Sequence, residues 1–246
     1  MPAPEIEETA KATQEVAKTA GKAIDASRDL GGFFSRIFGG SLEQLVGIGE
    51  DHLTVYRRTR QLRLAKRYEE IRKELGFDSE IKPVELKFGL PLIAAASVEN
   101  DDELQDLYAR LLATATNPDS KIEAKRAFVS ILQELGPLEI LLIDKIYSAP
   151  NTPGTAVPTG RFPERYSINM DDESARPSAE VELALWNLVR VGCIEPSGTY
   201  GGGSSVSAVT LTSLGRAFVE AAIKVPVRTE NLNADVVMMK SAEYRV

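Results

Sequence analysis

Cysteine, histidine and tryptophan each occur once in these 246 residues, as Cys193, His52 and Trp186. That scarcity excludes a good deal. A single thiol forms no intrachain disulfide, and one Cys with one His cannot furnish the ligands of a structural zinc site. The lone thiol suits a reducing compartment. A Cys–His nucleophilic pair would have to join positions 52 and 193 with no flanking motif to support it. Also missing is an apolar run of the roughly 20 residues a membrane-spanning helix needs. The first residues, MPAPEIEETAKATQEV, are acidic and lack the basic region and apolar core of a secretory signal. A cytoplasmic location is the expectation, with peripheral attachment to the inner membrane face as the alternative.

What remains is the composition of a soluble globular protein, 43% hydrophobic and 26% charged. The charge is unevenly placed. Residues 1–82 hold 14 basic and 14 acidic side chains, whereas residues 83–246 hold 15 and 22 and carry the whole net charge of −7. A nucleic-acid reader shows a basic footprint over its working domain. The C-terminal two thirds shows the reverse, which argues against nucleic acid as a partner.

The N-terminal part, residues 1–82, reads as a helical arm. Residues 5–29 are rich in Ala, Lys and Glu, with a weak apolar face that needs a partner surface. Between residues 30 and 48, Leu30, Phe33, Phe34, Ile37 and Phe38 recur at i, i+3, i+4, i+7 and i+8, a narrow apolar stripe flanked by glycine pairs. Phe33, Phe34, Ile37 and Phe38 are therefore candidates for contact with a membrane surface or a protein partner. The alternative is a glycine-hinged helix packed on other helices. From 57 to 73 the chain turns basic. Arg57, Arg58, Arg60, Arg63 and Arg67 are candidate anion contacts, for phosphate backbones or headgroups. Equally, they suit a solvated face or a pairing with residues 83–147, which hold 11 acidic against 6 basic side chains.

The central unit, residues 83–150, predicts four short helices between Leu86 and Tyr147. Asn100 with Glu103 resembles a capping box, and Leu104, Leu107, Tyr108, Leu111, Leu112 and Ala115 form one stripe. Gln105, Asp106 and Arg110 fall on the side away from it. Asn117-Pro118 ends that helix. Ser120 with Glu123 is the expected cap of the next, whose stripe is Ala124, Phe128, Ile131, Leu132 and Leu135. The short Thr116–Ser120 connection predicts two antiparallel neighbours sharing a core. Gly136 and Pro137 then open a helix to Tyr147, apolar nearly all round and expected to be buried.

Residues 151–176 read as a loop. In residues 177–224, Pro177-Ser178 opens a helix with Val181, Ala184, Leu185, Leu188 and Val189 on one face. Two strands follow, Cys193–Glu195 and Ser205–Thr212, about a glycine-rich tip, and Ser213 caps a last helix to Ile223. That order predicts a small winged-helix-like module. Its presenting helix leads with Glu180 and Glu182, which repel phosphate and favour a protein contact. Residues 225–246 form a tail without periodicity.

No arrangement with catalytic spacing emerges. Asp119, Glu123 and Lys125 are too close together on a loop and a helix start to hold a nuclease metal. Asp101, Asp102 and Glu103 complement a helix dipole. Gly201 to Ser205 lacks the lysine of a phosphate loop. No catalytic residue, metal ligand or cofactor is assigned.

Residues 10–53, 90–118 and 127–148 together resemble the abortive-infection alpha family of bacterial antiphage proteins. The elements that carry the resemblance are Ala95-Ala96-Ser97, Asp102-Glu103-Leu104-Gln105, Ala109-Arg110-Leu111-Leu112 and Leu135-Gly136-Pro137-Leu138. The resemblance implies a helical protein tied to phage defence and supplies no catalytic residues. The expectation is therefore a mainly α protein with a small winged-helix-like α+β module. It would act without catalysis, through a protein partner or self-association. The alternatives are a membrane-perturbing effector using residues 30–48 and a nucleic-acid-binding regulator using the basic helix 57–73.

Overall fold

The computed structural model describes residues 28–39, 52–77, 80–149, 155–164, 176–200 and 203–224. Side chains at 52–55 and 198–200 stand outside that description. So do most of the expected helix 5–29, the second half of 30–48, much of the 151–176 loop, part of the glycine tip and the tail 225–246.

Helix α1 covers residues 28–38. Its apolar stripe turns inward: Leu30, Phe33, Ile37 and Phe38 are buried, and Gly39, at φ +64°, ends it. The long α2 (His52–Glu74) buries Leu64, Tyr68 and Ile71, at i, i+4 and i+7, and stops at Gly76, φ +72°. Phe33 meets Tyr68 edge to face with ring centroids 5.6 Å apart, which locks α1 onto α2. Gly89 does the same between α1 and α3 (Leu86–Ala96), because a Cβ there would overlap the Phe38 ring.

The four expected helices are present as α3, α4 (Asp102–Thr116), α5 (Arg126–Glu134) and α6 (Pro137–Ser148). Their starts correct the sequence reading in two places. Asp101, not Asn100, caps α4, its carboxylate accepting from Glu103 N at 2.8 Å and Leu104 N at 3.0 Å. Asn100 instead accepts a hydrogen bond from the Tyr56 hydroxyl. Ser120 does not cap α5. Its hydroxyl accepts from Ile122 N in a local turn, and the helix begins only after Lys125. The connection is therefore longer than expected. Leu107, Tyr108, Leu111, Leu112, Phe128, Ile131 and Leu135 do share one core. Yet α4 packs most extensively on α2, while α5 packs mainly on α3. Helix α6 is not buried all round: Leu142, Ile143 and Ile146 face inward and Leu141 faces solvent.

The small α+β portion follows. Strand β1 (Val157–Pro158) lies within the expected loop and pairs antiparallel with β3 (Gly203–Leu211), Val157 opposite Val209. A two-residue strand has too little periodicity to be read from sequence. Helix α7 (Ala179–Arg190) starts on Ser178, whose hydroxyl accepts from Val181 N, and ends at Gly192, φ +76°. Strands β2 (Ile194–Tyr200) and β3 (Gly203–Leu211) form the hairpin, giving sheet order β1-β3-β2 with a bulge between Pro196 and Gly198. Thr212, one residue earlier than expected, caps α8 (Ser213–Phe218) by accepting from Gly215 N at 2.9 Å. A π-helical turn, Val219–Ile223, continues from it and packs on α4. Arg110 donates to Ile223 O and Thr114 to Ala221 O, both at 2.8 Å. One hydrophobic cluster runs from Phe33 to Ala222.

Candidate functional site

Arg60, Arg63 and Arg67 recur at i, i+3 and i+7, which places them on one face of α2. Asp102, Gln105 and Asp106 make the matching stripe on α4. Leu64 and Tyr68 of α2 share one core with Leu104 and Tyr108 of α4, and the packing of α2 on α4 brings the two stripes together. Arg60 Nη1 donates to Asp102 Oδ1 at 2.7 Å. Arg63 Nη1 donates to Gln105 Oε1 at 2.8 Å and lies 3.0 Å from Asp106 Oδ1. Arg67 Nε donates to Asp106 Oδ2 at 2.8 Å, and its Nη1 to Glu70 Oε2 at 3.0 Å. Gln105 closes the seam, fully buried, with its amide donating to Ala96 O at 2.7 Å and Arg60 O at 3.1 Å.

The electrostatics follow the geometry. The hydrogen bond from Arg60 holds the Asp102 carboxyl below its usual range, with the charges of Arg63 and Arg60 adding. The Arg67 guanidinium is held above its ordinary value, first by its bond to Glu70 and then by Asp106. Three of the five candidate anion contacts are thus engaged with this chain's own carboxylates. Arg57 is half-buried and Arg58 exposed. Gln105, Asp106 and Arg110, read as the outward side of α4, in fact face α2 and the π-helical turn. A signal for this was present: two polar stripes of opposite sign, each at helical spacing.

Phe33, Ile37 and Phe38, the candidates for membrane or partner contact, are covered by the chain itself, and Phe34 is half-buried against the same cluster. Among the described residues, no helix is long and apolar enough to cross a membrane. Beside the buried stripe, α1 and α2 leave an open, shallow groove of about 590 Å³ whose lining includes Gly32, Phe33, Leu62 and Ala65. Its charged lining is Arg28, Arg36 and Lys66 with Asp29 and Glu69; Arg36 Nη2 lies 2.7 Å from Glu69 Oε1, and Lys66 Nζ 4.0 Å from Glu70 Oε1.

The remaining nucleophile is withdrawn. Cys193 is fully buried beneath α8, and burial pushes its thiol up to about 12. The His52 side chain is outside the described residues. Among the described residues, no three acidic, His or Cys side chains cluster so as to hold a metal ion.

Helix α7 has an acidic first turn and an exposed leucine. Glu180 and Glu182 are exposed, and Leu183, the next residue after Glu182, is 73% exposed. Leu141, on the α6 helix against which α7 packs, is 43% exposed.

The family model of abortive infection alpha proteins matches residues 59–222, two thirds of the chain. The chain belongs to the abortive infection alpha family. No curated protein and no solved structure matches it. In this member of the abortive infection alpha family the matched span opens at Thr59. It therefore takes in Arg60, Arg63 and Arg67 with all their partners on α4, and closes in the turn that packs on α4. Residues 10–53, part of the resemblance read from sequence, lie outside the matched span. Membership of the abortive infection alpha family suggests a role in abortive-infection-type defence.

Proposed function

We propose that the protein serves abortive-infection-type defence as a binding protein, working through protein contacts made by the acidic start of α7. The observation that carries this reading is Leu183, a large apolar side chain at 73% exposure directly after the exposed Glu180 and Glu182. One exposed leucine is ordinary by itself. Here it stands on the presenting helix of the α+β portion, with Leu141 on the neighbouring helix also exposed. A Leu moved from water into a partner contributes about 1.5–3 kcal/mol, and flanking carboxylates select a basic partner surface.

Two further observations support binding over turnover. The arginines and aspartates of the α2–α4 seam are engaged with one another and with the fold. The Cys193 thiol is enclosed.

The test is a phage-plating assay in cells expressing the wild type, Leu183→Asp or Glu180→Lys/Glu182→Lys. All three positions are exposed, so folding is expected to survive, and circular dichroism checks it. Loss of protection in both folded variants is the expected result. Full protection in both would refute the reading.

A further inference from the structure

Helix α3 is apolar on every side, and one side of it is uncovered. Lys87 is the single charged residue in its sequence, LKFGLPLIAAA. Phe88, Gly89, Leu92, Ile93, Ala95 and Ala96 face the core. On the other face Leu90 is 37% exposed, Ala94 is exposed, and Val98, just past the helix end, is 51% exposed. A helix that is apolar all round belongs inside a protein. Helix α5, which packs on α3, shows the ordinary arrangement, with Arg126, Ser130, Gln133 and Glu134 towards solvent. Tyr56 widens the uncovered surface: it is 40% exposed, and its hydroxyl donates to Asn100 Oδ1, two residues after Val98.

The 27 residues ahead of Arg28 join the fold at the level of this face. Helix α1 runs parallel to α2: Arg36 lies beside Glu69, and at the start of α1 Arg28 borders the same groove as Leu62 and Lys66. The end of α3 reaches α2 at nearly the same height, because the Gln105 amide donates to both Ala96 O at 2.7 Å and Arg60 O at 3.1 Å. Arg60 and Leu62 are about 3 Å of helix rise apart. The Phe38 ring against Gly89 makes α1 and α3 neighbours.

We infer that residues 5–27 of this same chain cover the face, laying the stretch Ala17–Ile24 over Leu90, Ala94 and Val98. Ala17, Ala20, Gly21 and Ile24 recur at i, i+3, i+4 and i+7, the spacing of one helix face. The lengths agree. From Leu90 to Val98 is about 12 Å, and residues 5–27 as a helix extend about 34 Å. Residues 25–27 serve as the connection, since three extended residues reach about 10 Å, the separation of neighbouring packed helices. Covalent attachment decides the occupant. A stripe with one large apolar residue holds a separate molecule poorly, whereas a tethered segment acts at an effective concentration in the mM range. A lone helix of this composition is marginal in water, so segment and face each gain from the other. The contact does not depend on the one proposed for α7.

The experiment is photocrosslinking of the full chain carrying Val98→p-benzoylphenylalanine, irradiated as a one-to-one mixture of unlabelled and isotopically labelled protein. The expected crosslinks join position 98 to residues 5–27 and pair peptides of the same isotope, and they are lost when Ile24→Asp is added. Mixed-isotope pairs would overturn the assignment by showing that a second copy supplies the cover. Crosslinks confined to residues 40–51 or 225–246, crosslinks that survive Ile24→Asp, or no crosslink at all would also overturn it. Amide hydrogen exchange gives a second readout without the photoreactive group. Residues 17–24 are expected to be protected in wild type and to lose that protection in Leu90→Asp, while α4 stays protected and confirms the fold. Residues 17–24 that exchange freely in wild type, or stay protected in Leu90→Asp, would equally refute the contact.

Discussion

Arg67 on α2 reaches Asp106 on α4, Nε to Oδ2 at 2.8 Å, and both side chains remain 24% exposed. The pair sits in the outer part of a seam whose inner member, Gln105, has no exposure at all. Asp106 Oδ1 also lies 3.0 Å from Arg63 Nη1 as an ion pair, so one carboxylate ties two turns of α2 to α4. A double-mutant cycle on Arg67→Ala and Asp106→Ala should give a coupling of about 1 kcal/mol in urea unfolding, reduced by salt because the pair is partly solvated. Additive effects of the two changes would mean that the bond contributes nothing to stability.

Leu111 is fully buried on the inward stripe of α4. Leu111→Ala should cost about 2–5 kcal/mol through lost burial and a residual cavity. A urea midpoint unchanged from wild type would show that this stripe is not the core.

Gly215 and Gly31 should respond to alanine with opposite signs. A Cβ at Gly215 would run into the Cys193 carbonyl oxygen, the same oxygen that accepts from Thr212 N at 3.1 Å. Backbone on both sides leaves no room to yield, so Gly215→Ala should cost about 1–3 kcal/mol. A Cβ at Gly31 meets nothing within 4 Å in a helical segment. Gly31→Ala should stabilise by about 0.4–1 kcal/mol. Thermal midpoints moving in the same direction would contradict the packing described.

Alkaline pH should destabilise the fold. The Cys193 thiol, ordinarily near 9.0, is pushed up to about 12 by burial, and the Tyr68 and Tyr108 hydroxyls are raised from 10.0 chiefly by the same cause. The fold prefers the neutral form of each, so above pH 9 the native state binds more protons than the unfolded chain. That contribution is fully present below pH 9 and is lost as pH rises towards 12. Urea midpoints should fall across this window, with the first part of the fall smaller in Cys193→Ala. A midpoint that rises from pH 9 upward would reverse the sign. Below pH 9 the native thiol should resist alkylation and react once urea is added.

Most helix positions were legible because each stripe at 104–112, 128–135 and 181–188 recurs at the helical period and is bounded by local signals, Pro137 and Ser178 among them. The hairpin was legible for the same kind of reason, a glycine-rich tip between short apolar strands. The caps at Asp101 and Thr212 were missed by one residue, because adjacent polar residues offer similar side chains and only backbone geometry chooses between them. The candidate site was less legible. Arg60, Arg63 and Arg67 read both as candidate anion contacts and as a face to pair with the acidic residues 83–147; the structure takes the pairing, and which carboxylates face them is set by how α2 packs on α4.

The helical class, the order of the helices and the β2–β3 hairpin, and the apolar stripes of α4, α5 and α7 follow from periodicity and from residues within a few positions of one another. One Cys and one His likewise exclude an intrachain disulfide and a structural zinc site built from those residues. Only the tertiary structure decided that the Phe33–Phe38 stripe is covered by α2 and α3, and that α4 takes α2 as its main neighbour before α5. Only it made Gln105 a buried link and left Leu183 in solvent. Those outcomes depend on contacts between residues some 40 to 110 positions apart, such as Arg67 with Asp106 and Thr114 with Ala221. Periodicity specifies which face of a helix is apolar or charged. The choice of partner for that face is made when competing helices pack, and only the assembled fold records it.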